Sequence, residues 1–224
     1  MSFQFWGMSV QGLLLAVGIS VGIAELAGYV LHRIMHNERF PALSKAHMIH
    51  HMELYGPNQA MRTTKYNDAT RGRAALGNIG MEWVIPSAAI LSLSLLTMLA
   101  MHVGWKYEAI VMCTLLGWPI FMFSYLHDRM HLHNFWMEKT PVLNIWFKNA
   151  RRLHDIHHHR LNDHGQMDRN YGIGFFFFDR LFGTLAKRHG PLNWQGYRAA
   201  IRRHEMNFGN EEELTDFPSG FRIS

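Results

Sequence analysis

The fold class that this sequence predicts is an all-α integral membrane protein. It has about three transmembrane helices, one span plus a hairpin, and a cytoplasmic helical cap that carries histidines. Apolar residues, 48% of the chain, gather in blocks of bilayer-crossing length, while charged residues are only 17%. The 16 histidines fall mainly into a few short clusters, and two of these begin where an apolar block ends.

The first block, Gly7 to Val30, carries a single charge, Glu25. The second, Trp83 to Val103, carries none, and at 1.5 Å per residue it reaches about 31 Å, a hydrocarbon core's thickness. The third, Ala109 to Leu126, is also uncharged. Gly104 to Glu108 is so short a link that the second and third blocks must form an antiparallel hairpin. A cleaved signal peptide fits poorly, because Met1 to Ala24 has no basic start and no small-residue cleavage site. A membrane domain is expected over residues 1–204, and an acidic, aperiodic tail over 205–224.

Basic residues set the expected orientation. Arg33, Arg39, Lys45, Arg62, Lys65, Arg71 and Arg73 follow the first block, and Lys139, Lys148, Arg151 and Arg152 follow the third. The positive-inside rule puts these stretches in the cytoplasm and the N-terminus outside, as three spans require. The net charge of +5 then belongs to a face beside anionic lipid, not to nucleic-acid binding, since no basic run accompanies a recognition motif. The lone cysteine, Cys113, excludes disulfide scaffolding and cysteine-rich metal sites, and inside its apolar run it is expected to be a buried small hydrophobe.

Four histidine boxes lie on the basic side. They are HRIMH (His32, His36), HMIHH (His47, His50, His51), HDRMH (His127, His131) and HDIHH (His154, His157, His158). Positions i, i+3 and i+4 share a helix face, so an HxxxH pair can chelate one ion and HxxHH is expected to point three rings at a common centre. One such box occurs by chance, whereas four on one side of the membrane form a joint signal. Ten imidazoles exceed the needs of one ion and point to two metals. Neutral imidazole suits zinc, copper, iron and nickel.

The order HxxxH, HxxHH, apolar hairpin, HDxxH, HxxHH resembles the fatty acid hydroxylase/sterol desaturase superfamily. The stretch "RNYGIGFFFFDRLFGT" (Arg169 to Thr184) is similar to that family's closing N-x-G … D-x-x-F-G-T signature. The resemblance covers roughly Glu25 to Thr184. Its layout is similar to small carotene hydroxylases, apart from a longer insert over Met52 to Asn78. It implies a non-haem di-iron centre, with O2 as co-substrate, that oxidises a C–H bond of a lipid or other hydrophobic substrate. Carried over box by box, it makes His32, His36, His47, His50, His51, His127, His131, His154, His157 and His158 the metal ligands. The chain has neither a haem-attachment CxxCH nor a GxGxxG opening a helix, so electrons must come from an external ferredoxin or cytochrome on the basic face.

Around these boxes lie candidates for support. Glu25 is two turns before His32, and an intramembrane carboxylate is a functional candidate, although a structural bond to a neighbouring helix is an equal alternative. Asp128 and Asp155 could orient a ligand ring from another box, although a solvated surface aspartate is the favoured alternative for each. Asn170 and Asp179 belong to the closing signature, Asn170 as a turn former and Asp179 as an anchor. Phe175 to Phe178 read as membrane-interface aromatics. His102, His133, His159, His164, His189 and His204 stand outside the boxes and are not expected to be ligands.

Hydroxylation is the leading reading and desaturation by the same centre the second. A zinc-dependent hydrolase is more remote, because HExxH is absent. A metal carrier is also remote, because its histidines belong at the membrane midplane or in a flexible tract.

Overall fold

The computed structural model describes residues 4–5, 7–59 and 81–208. A two-stranded hairpin, β1 (Gln4–Phe5) with β2 (Met8–Ser9), leads into α1 (Val10–Met35). Ser9 caps this helix, its hydroxyl accepting from the Gly12 N–H at 3.0 Å, which satisfies one of the first-turn donors. The helix continues past Val30, where the apolar block ends, so His32 is held on the same rigid rod as the apolar stretch.

A short link leads to α2 (Pro41–Ile49), with proline at the first turn, and α2 passes into a π-helical turn, His50–Leu54. The insert expected over Met52 to Asn78 lies largely outside the described residues. Next come α3 (Met81–Ala100) and α4 (Trp105–Met130), joined by a link short enough to make them an antiparallel hairpin. Pro119 lies inside α4, and the helix is π-wound over Ile120–Leu126 just beyond it, because proline removes a backbone donor from the ladder. A 3-10 turn (Trp136–Glu138), α5 (Leu143–His159), the short α6 (Phe177–Leu181) and α7 (Trp194–Phe208) follow. Helix α7 carries regular structure four residues past 204, the end expected for the membrane domain. Residues 209–224 lie outside the described residues.

Among the described residues, α1 and α4 are long and apolar enough to cross a bilayer, and the apolar stretch Val84–Ala100 of α3 is shorter. Helices α1 and α4 pack along each other through a close approach at Gly28, where a Cβ would overlap the Phe123 ring. The Trp118 indole donates to Glu25 Oε1 at 2.7 Å across the same seam. Cys113 is exposed on α4, contrary to the expectation of burial. On a helix of this length the outward face is apolar as well, so hydrophobicity alone does not imply burial in protein.

An apolar core joins α4 to α5. Met122, Phe123, Leu126 and Met130 meet Phe147, Ala150, Leu153 and Ile156, with Ile173 and Phe176 closing the cluster. The α5 residues recur every three positions, the stripe a helix buries against a neighbour. That stripe sets the rotation of α5, and so the direction in which its histidines point.

Candidate metal centre

The four boxes converge on two groups of five histidines. One holds His32, His36, His47, His51 and His157, and the other His50, His127, His131, His154 and His158. Within each group the available ring nitrogens lie within 4.8 Å of one another. All ten histidines singled out by spacing are present, and no other histidine belongs to either group.

The expectation that HxxHH gathers three rings at one centre is incorrect. In both HxxHH boxes the i and i+4 members join one group and the i+3 member joins the other. With 3.6 residues per turn, neighbouring residues are about 100° apart around the axis, so the i+3 and i+4 rings cannot face one point. His47 and His51 serve the first group while His50 serves the second; His154 and His158 serve the second while His157 serves the first. Each group therefore receives two i, i+4 pairs and one ring from a third box. The groups adjoin where the rings of His51 and His158 stack with centroids 4.0 Å apart.

Ring nitrogens approach each other inside the groups. Nε2 of His36 is 3.0 Å from Nε2 of His157 and 3.1 Å from Nε2 of His47. Nε2 of His154 is 3.2 Å from that of His131 and 3.1 Å from that of His158. The outer nitrogens are fixed by backbone carbonyls. His32 Nδ1 donates to Tyr171 O at 2.6 Å, His157 Nδ1 to Arg169 O at 2.6 Å and His158 Nδ1 to Tyr55 O at 3.2 Å. A carbonyl can only accept, so the proton sits on Nδ1 and the Nε2 lone pair faces inward.

These carbonyls are placed by the closing signature. Asp179 accepts from the N–H groups of Tyr171 and Gly172 and from the Thr184 hydroxyl, each at 2.7 Å. Asn170 has a left-handed φ of 58°, which asparagine tolerates. Its side chain donates to Leu153 O and Ala186 O, both at 2.9 Å, and accepts from the Ala186 N–H at 2.7 Å. A Cβ on Gly172 would sit 2.7 Å from Phe175 O, so only glycine fits this turn. Asp179 and Asn170 thus hold the Arg169–Tyr171 backbone, and that backbone holds His157 and His32.

The other expected support residues lie outside the two groups. Glu25 is engaged by Trp118 two turns from His32. Asp128 and Asp155 are half-buried on α4 and α5, and neither is a member of either group. His133 and His164 are exposed, His159 lies beside His189 with ring centroids 6.1 Å apart, and His102 is exposed at the α3–α4 link. His204 donates to Glu53. Tyr55 and Tyr171 were not legible as site residues. Tyr55 is fully buried with its ring stacked on His131 at 3.8 Å, and Tyr171 packs edge-on against His32. Their part is played largely through main-chain carbonyls, which leave no signature in side-chain identity.

Burial holds His36, His47, His50, His51, His154 and His157 well below the ordinary histidine pKa, and mutual repulsion among the rings lowers them further. They are neutral lone-pair donors at physiological pH. Among the described residues, the buried Nε2 atoms of His32 and His50 and both ring nitrogens of His51 have no hydrogen-bond partner. Such atoms are costly to bury unless something binds them, and two cages of imidazole nitrogens suit two divalent transition-metal ions.

Comparison with known proteins agrees with this geometry. The family model described as fatty acid hydroxylase matches residues 17–184, a span that contains all four boxes and the closing signature. No curated protein and no solved structure matches the chain. The chain belongs to the fatty acid hydroxylase family.

Proposed function

We propose that this protein is an O2-dependent di-iron membrane hydroxylase of a lipid or other hydrophobic substrate, with the ten grouped histidines as its ligands. The family makes it an oxidoreductase associated with membranes and with lipid. The observation that carries the finer reading is the division of ten histidines into two adjoining groups of five, all nitrogen donors with no carboxylate among them. Iron bound there would supply O2 activation and C–H oxidation. The reaction balances as R–H plus O2, two electrons and two protons giving R–OH and water. The chain carries no redox motif of its own, so a ferredoxin or cytochrome type of donor supplies the electrons.

The protein's residues do the rest. The carbonyls of Tyr171, Arg169 and Tyr55 keep His32, His157 and His158 in the tautomer that presents Nε2. Leu126, Met130 and Ile156 bury the surroundings and exclude water. Apolar side chains are exposed on the cap, with Val142 81% and Ile145 76% accessible and Phe175, Phe177 and Leu181 also open. Phe175 stacks on Trp118 of α4 with centroids 6.1 Å apart, and Phe182 lies against Tyr29 of α1. This belt continues the lipid-facing surfaces of the helices, which supports a cap seated in the leaflet and a substrate arriving from it. We read α1, α3 and α4 as three spans, with the N-terminus outside and the histidines on the cytoplasmic side.

Metal analysis of anaerobically purified protein tests the reading together with lipid profiling of cells with and without the gene. Two iron per chain and a product heavier by one oxygen atom are expected, whereas loss of two hydrogens would assign desaturation instead. Stoichiometric zinc with no O2-dependent turnover would overturn the oxidase.

A further inference from the structure

Helix α7 lies beyond residue 184, where the match to the family ends, yet it backs the second histidine box. Arg203 reaches three partners. Its Nε donates to Glu38 Oε1 at 2.6 Å, Nη1 to His164 O at 2.6 Å and Nη2 to Gly165 O at 2.7 Å. Glu38 stands in the link between α1 and α2, so one guanidinium ties α7 both to the approach to the second box and to the loop after the fourth. The next residue, His204, is buried and donates through Nε2 to Glu53 Oε1 at 2.8 Å, two positions after His51.

Apolar packing adds to these bonds. Met48 and Met52 interleave with the histidines of the second box and bury against Leu161, Met167 and Ala200, with Ile201 alongside. The approach is close enough that a Cβ on Gly165 would overlap the backbone at Ala200, and one on Gly196 would overlap Asn162 O.

The second box needs outside support more than the others do. The first and third boxes lie at the ends of 26-residue helices, and the fourth is on a 17-residue helix. The second begins on the nine-residue α2 and finishes in a π-turn. A helix that short is marginal by itself, and π-winding is a rare geometry that tertiary contacts must maintain.

We infer that α7 is a positioning clamp for the second box, with Arg203 and His204 fixing the directions of His47, His50 and His51 and thereby the metal affinity of the groups. The inference rests on the reading of those groups as metal sites. The first group takes two of the box's three rings, so it depends more heavily on the clamp.

Cobalt(II) titration of the full-length metal-free chain in detergent, followed by visible absorption, tests this. The wild type is expected to take two ions. Arg203→Met is expected to weaken one ion's binding by roughly 10- to 100-fold and the other's by less, which changes the ratio of the two affinities. Arg203→Lys keeps the charge opposite Glu38 but loses the planar fork, so it should fall between. A purely structural role for α7 would lower the melting temperature of the metal-free chain and leave that ratio unchanged. Two ions bound by Arg203→Met with wild-type affinities would overturn the clamp and leave the proposed function standing. A wild type that binds no cobalt overturns both. Should Arg203→Met not accumulate, Glu53→Ala, which removes the acceptor for His204 Nε2, decides in its place. Glu53 is 53% exposed, so its substitution does not threaten the fold, and unchanged affinities there overturn the clamp.

Discussion

His157 and His158 are consecutive in sequence and belong to different histidine groups, their ring planes 88° apart with centroids separated by 5.8 Å. Each is anchored on its outer nitrogen by a different carbonyl, Arg169 O for His157 and Tyr55 O for His158. The fourth box is therefore a joint between the two groups.

This relationship predicts separable losses. On the proposed di-iron reading, His157→Ala should deplete the first group and His158→Ala the second, each lowering iron from about two per chain toward one, and either should abolish turnover. Exposed His133, two residues beyond the third box, serves as the control, and His133→Ala should retain both ions. Metal analysis beside activity checks this, and identical iron content in the first two variants and the wild type would refute the assignment.

Asp179 bonds to none of the ten grouped histidines, yet its replacement should alter metal binding by them. Asp179→Ala leaves the buried N–H groups of Tyr171 and Gly172 without their acceptor, at a cost of about 1–3 kcal/mol each. The Tyr171 carbonyl then loses its aim at His32. Affinity at the first group should fall by roughly 10- to 100-fold, with the second group less affected, as read by metal titration.

Gly28 governs the seam between α1 and α4. Gly28→Leu forces a side chain into the Phe123 ring, and overpacking of this kind costs about 1–3 kcal/mol. The melting temperature in detergent should fall. Gly18, which has open space around it, should accept alanine without comparable loss.

The buried histidines give the metal-free chain an acid-sensitive stability. In the folded state His36, His47, His50, His51, His154 and His157 are held below the ordinary value of 6.5, burial being the main cause. Below that value the unfolded chain binds more protons than the folded one. Stability is therefore fully present above about pH 6.5 and is lost as the pH falls. Thermal unfolding of metal-free protein between neutral pH and about pH 5 checks this, and a melting temperature flat across that interval would contradict it.

Much of the molecule can be read from residue order. Runs such as Gly7–Val30 and Ala109–Leu126 show long apolar helices, because a helix facing lipid must be apolar along its length. The four boxes identify the ten histidines of the two groups, because i, i+4 spacing is a local property of a helix. Asn170 and Asp179 stand out through the closing signature. Cys113 was misjudged because sequence hydrophobicity does not distinguish a lipid-facing side from a protein-facing one.

Residue order by itself determined which histidines could gather, since spacing within a helix needs no information from elsewhere in the chain. Only the tertiary structure decided how they divide into two groups, that carbonyls of Tyr55, Arg169 and Tyr171 fix the rings, and that Arg203 ties α7 to Glu38 in the α1–α2 link. The physical reason is that these depend on how helices are rotated against one another. Packing of stripes such as Phe147, Ala150 and Leu153 sets that rotation, and contacts between residues far apart in the chain complete it.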